Sequence, residues 1–378
     1  MVSLNQIKTA HKTAHKPAQK LTLLECLRGL AALLIVAFHA TELFALKFDH
    51  PFLLSLFQFG DAGVDFFFVL SGFFLALSSF KYIGHSGKVK GFLLKRCARL
   101  YPFYWFVTIG LIPIYFLVPS FGKGHEREMG SILKSLLLIP QSHAPIVSVA
   151  WFLSHLMFFY LAFAAVIWAP KLFSKVVFVG LSLSAIFMLA DVISGFQLRD
   201  KTHFLIDFIF SYYNLEFAAG CLIGVFFTKI QMREAVSRCL LWLGCLAFLI
   251  AGFVDVYVLQ LEPGNAAASH YYEFIAYGLS SVLIVTGAAF LEKRHEVQIN
   301  QAFVVLGAAS FSIYLTHYPI LSIFTKAIQV TGISGFVFYT LAMVLACIAT
   351  VWMGCIAHFY VEKRLVSLFK ARLIYKKI

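Results

Sequence analysis

The chain has 378 residues, of which 61% are hydrophobic and only 13% charged, with 42 phenylalanines. That balance excludes an ordinary soluble domain, and apolar runs recurring from about residue 23 to residue 360 point to a polytopic membrane protein. A net charge of +13 does not imply nucleic acid, because the Lys and Arg residues flank the apolar runs and form no single basic face.

The first twenty residues carry Lys8, Lys12, Lys16 and Lys20. A basic start before an apolar run has the outline of a signal peptide, but that run contains Glu25, Arg28 and His39, and no small-residue cleavage site follows. A retained basic cytoplasmic tail over 1–20 is therefore expected. Ten spans follow, near 23–46, 60–80, 100–118, 149–169, 174–194, 204–228, 239–260, 271–291, 303–328 and 334–360, each close to the roughly 20 residues a bilayer demands. With the N-terminus inside, 23 of the 31 Lys and Arg residues fall on inner segments and seven on outer ones, with Arg28 inside the first helix. The positive-inside bias thus predicts an all-α, ten-span bundle with both termini cytoplasmic. The expected division is a basic tail at 1–20, one membrane domain over 21–362 and a second basic tail at 363–378. The longest connection, "PSFGKGHEREMGSILKSLLLIPQSHAPIVSV", is expected to lie on the outer surface as a lid or acceptor-binding element. The seven cysteines include no Cys-x-x-Cys pair and no Cys/His cluster, so neither a disulfide framework nor a metal site is expected.

Ionisable residues inside spans are costly unless they are paired or line a wet cavity, so each is a functional candidate. In "RGLAALLIVAFH", the eleven steps from Arg28 to His39 turn about 20° past three full turns and rise about 16.5 Å. The two side chains therefore share one helix face, and Glu25 and Glu42 extend that polar stripe at either end. Counting from span ends places His39, Asp65, His155 and His317 in one layer of the outer half of the bilayer, with Asp65 able to orient His39 or His317. The bland alternative for each is a structural interhelical hydrogen bond, and that is the expected role of His358. On the cytoplasmic side, Lys81, Lys88, Lys90, Lys95, Arg96 and Arg99 precede the third span. They serve topology, and they also suit a phosphate-rich ligand, because Arg offers planar bidentate donors. Gly63, Ser71 and Gly72 allow either close helix packing or a narrow ligand channel.

Five stretches, "LRGLAALLIVAFH", "GVDFFFVLSGFF", "RCARLYPFYW", "WFLSHLMFFYL" and "SFSIYLTHYPI", together resemble the integral-membrane acyltransferase 3 family, in that family's order, from about residue 24 to residue 320. The resemblance implies a ten-helix enzyme that draws acyl-CoA from the cytoplasm and acylates, often acetylates, extracytoplasmic glycans. It makes Arg28 and His39 the functional pair, and Arg99, Ser71, Trp151, Tyr160 and His317 match further motif positions. Many members continue from the tryptophan into a Val-Glu-Glu-type stretch, whereas this chain has His155 and no carboxylate there, so a role for that glutamate does not carry over.

The expected mechanism has acetyl-CoA docking on Arg96, Arg99 and Arg28 with Ser71 along its path, and His39 as general base on a glycan or lipid-linked glycan hydroxyl. Asp65, His317 and Tyr314 assist catalysis, His317 or Tyr314 at the oxyanion, and Trp151, His155 and Tyr160 bind the acceptor. No metal is expected. The setting implied is a bacterial inner membrane, with membrane lipids as partners and no nucleic acid. An alternative is a transporter or flippase that uses the same buried polar groups without chemistry; the lack of an internal repeat counts against it.

Overall fold

The computed structural model describes residues 21–50, 52–194, 198, 202–259 and 271–373, so the expected tail over 1–20 lies outside the described residues. Among the described residues there is no strand, and ten helices are long and apolar enough to cross a membrane. The helices are α1 (Thr22–Phe48), α2 (Gly63–Ser79), α3 (Val89–Leu117), α4 (Met129–Leu137), α5 (Trp151–Trp168), α6 (Pro170–Ile193), α7 (Phe204–Ile209), α8 (Tyr213–Lys229), α9 (Glu234–Val254), α10 (Leu279–Glu292), α11 (Gln301–Thr331), α12 (Phe336–Ala357) and α13 (Lys363–Leu373). In lipid a helix satisfies its backbone groups within one segment, which is why continuous apolar runs of this length take this form.

The centre is built from α1, α2, α5, α10 and α11, while α6, α9 and α12 turn most of their apolar surface outward. Two pairs of helices touch backbone to backbone. A Cβ on Gly307 of α11 would run into the Glu25 carbonyl of α1, and one on Gly29 would meet the backbone of Gly307. Gly72 of α2 and Gly220 of α8 stand in the same relation to Phe217 and Val69. Lipid offers no hydrophobic drive for helices to associate, so small residues at the crossing supply close van der Waals packing instead. The small residues of the second span thus serve helix approach at Gly72, whereas Ser71 faces a cavity.

Nine expected spans start within about five residues of the observed ones, the eighth through a π-helical turn, Glu273–Gly278, that leads into α10, and the third does not. It was expected over 100–118 but α3 starts at Val89, because the basic residues that lower its hydropathy lie on the first turns of the same helix. The tenth runs longer than expected. α12 continues through a π-helical turn, His358–Glu362, into α13, which packs on α3. The described part of the expected C-terminal tail is therefore a docked helix.

The long connection returns to α3. The end of its helix α4 meets the middle of α3, while Met129, Leu133 and Leu137 stay exposed. The Tyr101 and Tyr104 hydroxyls and the Trp105 Nε1 donate to the carbonyls of Leu137, Ser135 and Leu136 at 3.1, 2.6 and 2.8 Å. Helix C-termini leave carbonyls without intrahelical partners, and in an apolar setting each must find a donor. Three aromatic side chains from the middle of α3 donate there, at the Ser135 carbonyl beside the Leu138 N–H that already bonds to it.

Candidate functional site

The crossing of α1 and α11 at Gly29 and Gly307 sets the Arg28 guanidinium against the Gly307 carbonyl, with Nε at 3.1 Å and Nη2 at 2.6 Å. Both donors leave the side chain on one edge, so its remaining edge turns toward a cavity of about 360 Å³. Arg96 and Arg99 of α3 line the same cavity, as do Glu25, Ser71, Ser78 and Tyr160. Arg96 Nη2 donates to the hydroxyls of Ser78 and Ser79 at 2.7 and 2.8 Å, and its guanidinium lies over the Phe92 and Tyr160 rings at 5.4 and 5.5 Å. Arg99 is exposed and makes no hydrogen bond or ion pair among the described residues. One end of the cavity thus gathers three guanidinium groups, a setting suited to phosphate.

The opposite end is closed by three rings, Phe67 of α2, Phe152 of α5 and Tyr314 of α11, with centroids 5.6 to 6.0 Å apart. The Tyr314 hydroxyl donates to the Val149 carbonyl at 2.7 Å and pins this ceiling. One turn further along α11, the fully buried His317 contacts the Tyr314 carbonyl through Nδ1 at 2.6 Å. A carbonyl only accepts, so Nδ1 carries the hydrogen and Nε2 is a buried acceptor without a hydrogen-bond partner among the described residues. The His317 ring stacks on His39 with centroids 5.1 Å apart and an interplanar angle of 30°. His39 Nδ1 lies 3.0 Å from Glu42 Oε2, and the Tyr318 ring meets His39 edge-on at 5.1 Å.

The structure therefore brings Arg28, Arg96, Arg99, Ser71, Tyr160 and Tyr314 to one cavity, and His39 and His317 to a pair just beyond its ceiling. Tyr160 had been expected with the acceptor, yet it stands beside Arg96 at the basic end. The N–H of His317 and the O–H of Tyr314 are both committed to carbonyls, so neither has a donor to spare for an oxyanion in this arrangement. Asp65 does not orient His39. It is buried on the far side of α2 with Glu216 and Glu273 as its charged neighbours, and the carboxylate that reaches His39 is Glu42 of its own helix. Position on a helix gives depth but not direction, and α2 turns Asp65 toward α8. Trp151 and His155 belong to an aromatic cluster with Phe68, Phe208 and Tyr213 and do not line the cavity. His358 contacts Glu362, which also accepts from Ser312, both at 2.6 Å.

The connection after α3 holds a second cavity, lined by Lys123, His125, Glu128, Ser142 and His143. Glu126 braces this segment by accepting from the backbone N–H groups of Lys123 and Gly124 at 3.0 and 2.8 Å. Burial pushes its carboxyl up, but these N–H groups, with His125 beside it, more than offset that and hold it below the usual range.

A family model described as an acyltransferase domain, Acyl_transf_3, matches residues 22–354. The exopolysaccharide production protein ExoZ of Rhizobium meliloti (strain 1021) is 28% identical over 339 residues, covering 89% of this chain and 96% of that protein. Protein 2 in the picA locus of Rhizobium radiobacter is 37% identical over 105 residues, 28% of this chain and half of that protein. No solved structure gives a significant match. The family match spans the helices that build the cavity and the histidine pair, and the chain belongs to the acyltransferase 3 family as a multi-pass membrane acyltransferase.

Proposed function

We propose that this protein transfers an acyl group, acetyl in the first instance, from cytoplasmic acyl-CoA to a hydroxyl of an exported or envelope glycan. The observation that carries this reading is the cavity of about 360 Å³ with Arg28, Arg96 and Arg99 at one end and Tyr314 at the other, one turn from the stacked pair His317 and His39. The three guanidinium groups suit the phosphates of the donor. The thin pantetheine arm follows the polar face of α1 past Ser71, and the small acyl group passes the ceiling of Phe67, Phe152 and Tyr314, which has to part for it. An acceptor hydroxyl approaching from the opposite membrane face meets His39, which serves as general base. The name of the Rhizobium relative favours an exopolysaccharide as acceptor. The donor side, the Arg28 end of α1, is cytoplasmic in this reading, and the membrane is the bacterial inner membrane.

Purified protein in liposomes, given labelled acetyl-CoA and glycan extracted from a strain lacking the gene, tests this directly. The expected result is an alkali-labile acetyl ester on the glycan and release of free CoA. A protein that moves glycan and leaves the thioester intact is a transporter, and that outcome overturns the proposal. His39→Ala should abolish ester formation while acyl-CoA binding, read by titration, stays within about twofold; wild-type ester formation by that variant removes His39 as the base.

A further inference from the structure

His39 is the better placed of the two stacked histidines to act, because its side chain is 21% exposed whereas His317 is fully buried. An imidazole works as a base only when one nitrogen offers its lone pair in a fixed direction. Glu42, three residues along α1, places Oε2 3.0 Å from His39 Nδ1. An ionised carboxylate only accepts, so Nδ1 carries the hydrogen and the lone pair of the neutral ring sits on Nε2. The ring plane is set independently by His317 stacked at 5.1 Å, Tyr318 edge-on at 5.1 Å and Phe38 at 4.8 Å. The titratable groups facing the ring are thus Glu42 on its own helix and His317 and Tyr318 on α11. The Nδ1 hydrogen of His317 is held by the Tyr314 carbonyl, and Asp65 faces α8.

We infer that Glu42 is the positioning residue for His39, fixing its tautomer and ring direction so that Nε2 faces the acceptor hydroxyl, and stabilising the imidazolium that forms during transfer. This rests on the reading of His39 as the base. The acceptor oxygen forms a bond to the thioester carbon while its proton passes to Nε2. Collapse of the tetrahedral intermediate breaks the C–S bond, and the same proton passes from Nε2 to the departing thiolate. Glu42 stays ionised throughout and takes no proton. As a fold-stabilising contact, a pair at i and i+3 with one side chain 46% exposed contributes little, so its loss leaves the helix intact. The reacting states gain far more, because the ring is positive from attack to collapse and neutral in the resting enzyme.

The test is steady-state kinetics of Glu42→Gln, Glu42→Asp and His39→Ala in liposomes. Glu42→Gln is expected to lower kcat about 10- to 100-fold with KM for acyl-CoA within about twofold. The acidic limb of its kcat/KM profile should move to lower pH, since the imidazolium has lost its counter-charge, and Glu42→Asp should regain part of the loss. If Glu42→Gln keeps wild-type kcat and pH profile while His39→Ala is inactive, the role of Glu42 is overturned and the base stands. Equal losses for Gln and Asp with an unmoved pH profile mean that Glu42 is merely structural, which also overturns it. An active His39→Ala enzyme overturns instead the reading on which this inference rests.

Discussion

At the scale of single residues, the arginines differ in what else they do. Arg28 gives two donors to the Gly307 carbonyl and so belongs to the packing of α1 on α11, whereas Arg99 has no hydrogen-bond partner among the described residues. Arg28→Ala should therefore weaken acyl-CoA binding and also lower stability by about 2 kcal/mol, the usual worth of a hydrogen bond from a charged donor. Arg99→Ala should weaken acyl-CoA binding about tenfold with no change in thermal unfolding, since a charge-assisted contact to ligand is all it loses. Titration with acyl-CoA beside thermal unfolding in detergent separates the two, and a destabilised Arg99→Ala protein with normal affinity would contradict this division. The candidate site was legible in sequence where spacing on one helix decides it: Arg28, His39 and Glu42 share a stripe because 3.6 residues make a turn. It was not legible where a partner lies across helices. Depth counting put Asp65 level with His39, but direction around α2 depends on the packing against α8, which no single helix encodes.

At the scale of elements, the motif "RLYPFYW" carries more than its arginines. Its three aromatic donors cap the end of α4 and hold the long connection beside the middle of α3. The sequence does not show this role, since the carbonyls they bond come from residues about thirty positions away. The other brace of this connection, Glu126, yields a pH prediction. Its carboxyl is held below its ordinary range, so the order it lends is fully present above the unfolded value of roughly 4.3 and is lost as pH falls through the folded one. Limited proteolysis of residues 122–128 should thus rise below about pH 4 in the wild type. Glu126→Gln should raise it already at neutral pH, and the gap between the two should close in acid. An identical proteolysis profile for both proteins at pH 7 would remove Glu126 as a brace.

At the scale of the whole molecule, orientation links the fold to the source of the donor. The charge bias predicts that the connection at Ser86 faces the cytoplasm and that at Ile333 faces outside. An impermeant thiol reagent on intact cells should label Ile333→Cys above the background of the native cysteines, and label Ser86→Cys only after permeabilisation. The reverse pattern would put the arginine cluster outside, away from any cytoplasmic acyl-CoA.

The class of fold, the number of spans and the polar face of the first helix were readable from the chain alone, because bilayer thickness and helical period act on each segment separately. Five short stretches in order carried the family as well. Which polar groups meet depends on the folded bundle. Glycine crossings set α1 against α11 and α2 against α8, and those contacts choose whether a side chain on a given helix faces the arginine-lined cavity, the histidine pair or the buried carboxylates. Such choices arise from packing between segments far apart in the chain, so they belong to the assembled bundle and to no stretch of sequence within it.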